Sequence, residues 1–432
     1  MKKYLFSSTL LLLSLPLLSQ VDSQDKISGT LPEVVNYAVD HSPLLKQSDI
    51  DQQLTDLRIK NQLTNNLPQL SLGYNYQYNF VRPDLANGQL DHMSGIQLNA
   101  SQNILNRDIW FTKKTADDNR KLSAQAKELN EINLIAATKK AFYDALITQQ
   151  QITLSQQDIE RISKSLEIAT YQYKGGIVDK TDNRRAGINL NNAKAQKYSS
   201  EELYKAKITY LKQIMGYPNE DDLSLQYDFK KLEEEALAIL SDTLYLDKIA
   251  DYQYLKVQQK LKEAEVDYNK KSWLPNIAAN AGYNMSFLDN DFAQLYQKPY
   301  NGAFVGVGLS WSILQGGKRK NDVQITQLQI ERLQEEERNL VNSLQSQYEQ
   351  AVNRYNAAMY NFEAIRDNVK LSEEVYDVIN LQYKAGVKTY LEVFSAETDL
   401  RNARTNYLNA LYSILSTKVD LEKTLGLIKT NH

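Results

Sequence analysis

No cysteine occurs among the 432 residues. That excludes a disulfide framework, thiolate metal sites, a cysteine nucleophile and lipidation of an N-terminal cysteine. Histidine is almost as scarce, and His41, His92 and His432 are too dispersed in sequence to suggest a metal or acid–base cluster. With 8 prolines and 16 glycines, both well under average usage, a loop-rich fold is disfavoured. The formal charge of −3 leaves no electrostatic footprint for nucleic acid. Gly316-Gly317-Lys318-Arg319 resembles a phosphate loop only superficially, because the GxxxxGK(S/T) spacing is absent. With no catalytic constellation and no cofactor motif, neither an enzyme nor a bound cofactor is expected. Tyrosine is the one large excess, at 28 copies against 10 Phe and 3 Trp.

The N-terminus has the pattern of an export signal. Lys2 and Lys3 precede an apolar run from Tyr4 to Leu18, and small or polar residues follow from Ser19 to Ser23. A cleaved signal peptide is expected over residues 1–23. The run is interrupted by Pro16 and is short for a spanning helix. No later stretch approaches the ~18 consecutive apolar residues that a transmembrane helix needs.

The rest of the chain is one pattern written twice. Gln172-Tyr173-Lys174-Gly175-Gly176 returns as Gln382-Tyr383-Lys384-Ala385-Gly386, and Gly216 returns as Gly426. Leu67-Pro68 and Gly73-Tyr74-Asn75 return as Leu274-Pro275 and Gly282-Tyr283-Asn284. Residues 107–174 and 318–385 both lack glycine and proline. A duplicated unit is therefore expected, with the first copy over 24–217, a linker holding a short strand over 218–230, and the second copy over 231–432.

Each copy should open with a helix, at about 31–66 with Thr30 and Glu33 as a capping box, and at about 232–271. A hairpin follows, over 69–104 and again over 276–313. Leu70, Leu72, Tyr74, Tyr76, Tyr78 and Phe80 alternate with Gln69, Ser71, Gly73, Asn75, Gln77 and Asn79, which is unbroken period-2 patterning. The other three strands alternate likewise, separated by polar loops at 81–92 and 289–302. Their polar faces hold Asn, Gln, Ser and Gly, almost without the charges of an ordinary solvated face. Twelve residues at ~3.3 Å, tilted ~45°, rise about 28 Å, which matches the apolar band of an outer-membrane barrel. Trp110, Phe111, Trp273 and Trp311 fall near strand ends, where an aromatic girdle would lie. Four strands cannot close a barrel alone, so closure must come from several chains.

The runs without glycine or proline predict helices of about 100 Å. From Val341 through Leu344, Tyr348, Ala351, Tyr355, Ala358, Phe362 and onward to Tyr383, apolar residues keep a coiled-coil spacing. The counterpart seam from Leu134 to Tyr173 is smaller and more polar. Returning helices are expected over 182–215 and 393–425, so each copy ends as an antiparallel helical hairpin.

This order of elements resembles the TolC family of outer-membrane efflux proteins over essentially the whole chain beyond the signal. Thr30-Leu31-Pro32-Glu33, Pro43-Leu44, the Leu-Pro pairs before the strands, Ile313-Leu314-Gln315-Gly316-Gly317 and the two aromatic-x-x-Gly tips carry the resemblance. It implies a membrane fold of α-helices plus β-barrel: a homotrimer with one shared twelve-stranded barrel in outer-membrane lipid, continued by a twelve-helix periplasmic α-barrel. It implies an exit duct for small molecules served by a periplasmic adaptor and an inner-membrane pump. A type I protein secretion duct is the alternative, and a trimeric coiled-coil adhesin a distant one. By the same resemblance Asp182, Tyr383, Lys388 and Glu392 would constrict the tunnel's periplasmic end. Tyr173, Gly175, Gly176, Tyr383, Ala385 and Gly386 would form the tips that dock the adaptor.

Overall fold

In the computed structural model, residues 29–80, 90–238 and 243–430 are described. The expected signal peptide, most of the first loop and His432 lie outside them. Two short helices lead in, α1 (Leu31–His41) and α2 (Pro43–Thr64), followed by β1 (Gln69–Tyr78) and β2 (His92–Leu105). Then come α3 (Arg107–Lys174), α4 (Lys180–Met215), α5 (Phe229–Leu237) and α6 (Ala250–Lys270). The second copy closes with β3 (Asn276–Asp289), β4 (Pro299–Ser310), α7 (Lys318–Lys384) and α8 (Tyr390–Thr424).

Several sequence expectations need correction. The helix expected over 31–66 is two helices, because Ser42 leaves helical geometry and Pro43 starts α2, where its missing N–H costs nothing. Thr30 is the N-cap of α1, yet its side chain accepts no capping hydrogen bond. The helix expected over 232–271 is likewise divided into α5, a single 3-10 turn at Leu246–Lys248, and α6. The linker over 218–230 contains no strand; Gln226 N–H donates to Gly29 O at 3.0 Å, and α5 already starts at Phe229. The second hairpin loop is shorter than expected, since β3 runs to Asp289 and β4 begins at Pro299. The returning helices start at Lys180 and Tyr390, a little before their expected positions.

The four strands form one antiparallel sheet in the order β1-β2-β3-β4. Its register puts every expected face together. Leu70, Ala100, Ala281 and Val305 form one row, and Leu72, Leu98, Tyr283 and Ala303 the next row but one. Gly73, Gln97, Asn284 and Gly302 form the row just beyond, on the opposite face. The apolar face is not covered by this chain: Leu72 is 73% exposed and Val305 88%. Contiguous apolar exposure on this scale marks an interaction with lipid or protein. At the strand ends Trp311 Nε1 donates to Trp273 O at 2.8 Å, and the Lys271 ammonium sits 3.9 Å over the Trp110 ring.

Each long helix is lined by two shorter ones laid end to end. α2 and α4 run beside α3, and α6 and α8 beside α7. The joints explain the repeated glycine pair. Gly216 ends α4 at φ +70°, where a Cβ would stand 2.7 Å from His41 O and 2.9 Å from Pro43 Cδ. Gly426 follows α8 at φ +69°, with a Cβ position 2.9 Å from Lys248 O. Only glycine combines that backbone with so close an approach. The seam of α7 is as expected, with Leu344, Ala351, Tyr355, Ala358, Phe362, Tyr376 and Tyr383 all buried.

Around the joints, one apolar core gathers α1, α3, α5, α7 and α8, and tyrosine hydroxyls tie α5 into it. Tyr143 and Tyr227 donate to the two oxygens of Glu235 at 2.6 and 2.5 Å, and Tyr407 donates to Glu233. Burial and the neighbouring carboxylate push the Tyr143 phenol far up, which keeps it a donor. A ring gives apolar area while its hydroxyl satisfies a polar partner, which accounts for much of the tyrosine excess.

The face assignment can be tested by charge insertion. Leu72→Arg is expected to destabilise the membrane-inserted sheet by about 2–4 kcal/mol near the midplane. Asn75→Arg, on the opposite face, is expected to assemble normally and to change conductance instead. Denaturant titration in bilayers and single-channel recording measure the two effects; equal destabilisation at both sites would contradict the assignment.

Candidate functional site: the helical tips

The two helical turns farthest from the sheet are built alike. In the first, Gly176 N–H donates to Tyr173 O at 3.0 Å and Ile177 N–H to Gln172 O at 2.8 Å. In the second, Gly386 N–H donates to Tyr383 O at 3.0 Å and Val387 N–H to Gln382 O at 2.9 Å. This double closure is a Schellman turn, which needs a left-handed residue. Gly176 (φ +74°) and Gly386 (φ +78°) supply it. Gly175 and Ala385 precede them in right-handed geometry, which any residue tolerates, so glycine and alanine interchange there. A Cβ on Gly176 or Gly386 would meet nothing within 4 Å, so the turns are open on their outer side. Ile177, Val387, Leu381 and Tyr171 are exposed around them.

The returning helices are capped at once, by different devices. Asp179 Oδ1 accepts from Thr181 N–H at 2.6 Å and Asp182 N–H at 3.1 Å. Those backbone bonds hold the Asp179 carboxyl below its usual range. In the second copy Thr389 and Glu392 form a capping box. Glu392 also accepts from Lys388 Nζ at 2.5 Å. The Lys388 hydrogen bond first, then the Thr389 N–H, pull the Glu392 carboxyl down to about 2.

The expected constriction residues thus have these positions in one chain. Lys388 and Glu392 pair with each other within a single turn. Asp182 lies in the first turn of α4, with Arg185 Nη1 at 3.7 Å. Tyr383 alone reaches another hairpin: its side chain is buried, and its hydroxyl donates to Gln172 Oε1 at 2.8 Å. Burial, then the charge of Asp182, raises the Tyr383 phenol, so it remains a donor. Tyr173, its counterpart in the repeat and the last member of the first seam, is instead 40% exposed. Gln172 has no distinguishing signal in the sequence, since a partner across 211 residues leaves no spacing to read. Asp179 was in principle legible as an N-cap before the α4 pattern.

Just above the tips, α3, α4, α7 and α8 close over a small apolar cluster of Ala169, Ala186, Tyr376, Tyr383, Tyr390, Val393, Ala396 and Leu400. Arginines tie the two hairpins beside it. Arg404 Nη2 of α8 donates to Glu373 Oε1 of α7 at 2.5 Å, and its Nη1 to Asp158 Oδ1 of α3 at 3.5 Å. The Arg161 guanidinium of α3 lies 5.2 Å from the Tyr376 ring centre of α7. Near the tips the hairpins are therefore joined by a few polar groups and a small apolar cluster.

An open lipid-facing sheet carried on paired helical hairpins defines an outer-membrane channel with a periplasmic helical extension. The chain belongs to the outer membrane efflux protein family, which matches residues 34–217 and 250–427. It is 24% identical over 412 residues to the outer membrane protein TolC of Escherichia coli (strain K12), covering 92% of this chain and 82% of that protein. It is 22% identical over 317 residues to the toluene efflux pump outer membrane protein TtgC of Pseudomonas putida, covering 70% of this chain and 62% of that protein. Among solved structures, that of CusC superposes with a TM-score of 0.73 at 13% identity, covering 91% of each chain. The chain is an outer-membrane protein, its fold is that of channels rather than enzymes, and its helices lie on the periplasmic side.

The Glu392 cap carries a pH expectation. A carboxyl depressed from 4.5 to about 2 supports the cap above the ordinary value and loses that support only as pH falls through about 2. In carbon-13 NMR of labelled protein, Glu392 is expected to titrate near 2, and Lys388→Ala to raise its midpoint. A wild-type midpoint near 4.5 would contradict the cap.

Proposed function

We propose that this chain is the exit duct of a tripartite export system, assembled as a homotrimer. Three four-stranded sheets would close one twelve-stranded barrel, and three sets of hairpins one tunnel leading to it. The observation that carries this reading is the open sheet: its apolar face is bare, and β1 and β4 each pair on one side only among the described residues. Backbone groups left unpaired in hydrocarbon cost several kcal/mol each, so the edges need partner strands. Small molecules are the proposed cargo, delivered by an inner-membrane pump through a periplasmic adaptor. The open turns at Gly176 and Gly386, with Tyr173, Gly175 and Ala385 beside them and Ile177 and Val387 exposed, suit adaptor docking.

The tips of three chains would meet around the axis and narrow the duct. Asp182, Tyr383 and Lys388 supply an acceptor, a donor and a cation there, and three Glu392 side chains, ionised above pH ~2, add negative charge. Carboxylate rings favour cations. Links at so wet a site are worth about 0.5–1 kcal/mol each, so two in each of three chains total roughly 3–6 kcal/mol. Reversing a two-state gate from 1:99 to 99:1 takes about 5.5 kcal/mol. One broken type of link should therefore leave a mostly closed duct.

The experiment is single-channel recording of the purified assembly in planar bilayers. Asp182→Ala with Tyr383→Phe and Lys388→Ala is expected to conduct severalfold better than wild type, while each single change gives a smaller increase. If the triple variant conducts like wild type, the constriction lies elsewhere in the duct.

A further inference from the structure

Above the tips, one buried polar contact links the two hairpins and belongs to no seam. Asn189 Nδ2 of α4 donates to Glu397 Oε2 of α8 at 3.2 Å. Asn189 is 2% exposed and Glu397 1%. The other carboxyl oxygen, Glu397 Oε1, is buried with no hydrogen-bond partner, and so is the nearby hydroxyl of Tyr390. Glu397 lies about 10 Å along α8 from its start at Tyr390, at ~1.5 Å per residue. Small side chains surround it: Ala186 and Ala396 are buried on either side of the interface. The carboxyl is thus enclosed by side chains of both hairpins.

Every packed element presents groups to Glu397. From α3 come Asp158 and Arg161, from α4 Asn189, from α7 Tyr376, and from α8 Tyr390 and Arg401. Among the described residues no cation lies within ion-pair distance of Glu397. Arg161 Nη2 is engaged by Asp158 while its Nε is buried without a partner, and Arg161 and Arg401 act on Glu397 only as charges beyond ion-pair distance. A buried carboxylate with one amide donor and a free oxygen is poorly compensated, whereas a neutral carboxylic acid is not. Burial is the largest cause of its raised affinity for a proton, which moves the carboxyl to about 7. Drawing the hairpins apart would let water reach the carboxylate and return it toward its ordinary value of 4.5. The joined and parted arrangements thus bind a proton with different strength, and any such difference shifts the balance between them.

We propose that Asn189 and Glu397 form a proton-operated latch between the two hairpins of each chain, closed when Glu397 is protonated and released when it is ionised. The latch rests on the reading that the hairpins part to open the duct. Its sign follows from the raised value. Support for the joined state is complete below pH ~4.5, is lost progressively as pH rises toward ~7, and changes no further above that. One proton per chain limits the effect to about tenfold in the equilibrium per pH unit per chain. Asp158 is also raised by burial, but two guanidiniums hold it, and its negative charge in turn raises Glu397.

The absence of cysteine makes the test direct. Spin labels at Lys194→Cys on α4 and Asp399→Cys on α8, in the full purified assembly, report the distance between hairpins by pulsed electron resonance. The wild-type background is expected to gain a longer-distance population between pH 5 and pH 7.5. In Glu397→Gln, which keeps the shape and the neutral charge, the short distance is expected to persist across the range; Asp158→Asn, which removes a neighbouring negative charge and frees Arg161, is expected to move the transition to lower pH. A pH-independent wild type, or a Glu397→Gln profile that moves like wild type, overturns the latch. Conductance recorded over the same range separates the two levels of the argument. If the distance responds as stated and conductance does not, the latch stands and hairpin separation as the opening step fails. If conductance rises in the triple tip variant but the hairpin distance is the same at pH 5 and pH 7.5, the tip constriction stands and the latch fails.

Discussion

Backbone hydrogen bonding in hydrocarbon is the constraint on which the structure depends. A strand in lipid must have a partner on both sides, because no water is there to replace one. This chain supplies four strands, a lipid-type face of Leu70, Leu72, Val305 and Val307, and an uncharged face of Asn, Gln, Ser and Gly. The two central strands, β2 and β3, come from different copies of the repeat, so the duplication makes one continuous sheet from two hairpins. The outer edges are left for neighbouring chains. Assembly then follows from geometry: the unit that satisfies its own backbone is larger than one chain.

The helical part answers a different problem, that of length. A helix of 68 residues cannot be covered by one equally long partner returning from the same turn, because the chain must also supply the sheet. Two shorter helices meet end to end instead, at joints sealed by Gly216 against His41 and Gly426 against Lys248. Around the joints the interior is apolar and tied by tyrosine hydroxyls to Glu233 and Glu235. Toward the tips it turns to small residues, arginines and one buried carboxyl. The middle and the tip end thus differ in what holds them: a large apolar core in the middle, and a smaller cluster with polar ties near the tips.

Much of this was legible in the sequence, and the reasons are local. Residues 107–174 lack any helix breaker, and α3 spans that same stretch. The alternation in Gln69–Tyr78 assigned both faces before any register was known, since a side chain on a strand has only two directions. The break at Ser42 was missed because a proline at a helix start and a proline within a helix look alike without the flanking backbone. The division of α5 from α6 is not legible because α5 is held largely by hydroxyl contacts from Tyr143 and Tyr407, which are distant in sequence. At the tips, the glycines were legible because a left-handed turn singles out one residue type. Which side chains meet there was not: the inward turn of Tyr383 and the outward turn of Tyr173 differ although their local sequences match. Asn189 and Glu397, 208 residues apart, carried no signal at all.

The most direct measurement of the central claim uses the sheet edges themselves. One cysteine is placed at Leu72 in β1 and a second in β4, moved stepwise from Ala303 to Leu309, in a chain that otherwise has none. After oxidation in membranes and denaturing electrophoresis, at least one pairing is expected to give covalent dimers and closed trimers and nothing larger. A chain that closes on itself would give only an internally linked monomer at every pairing, and that result would contradict a barrel shared between chains.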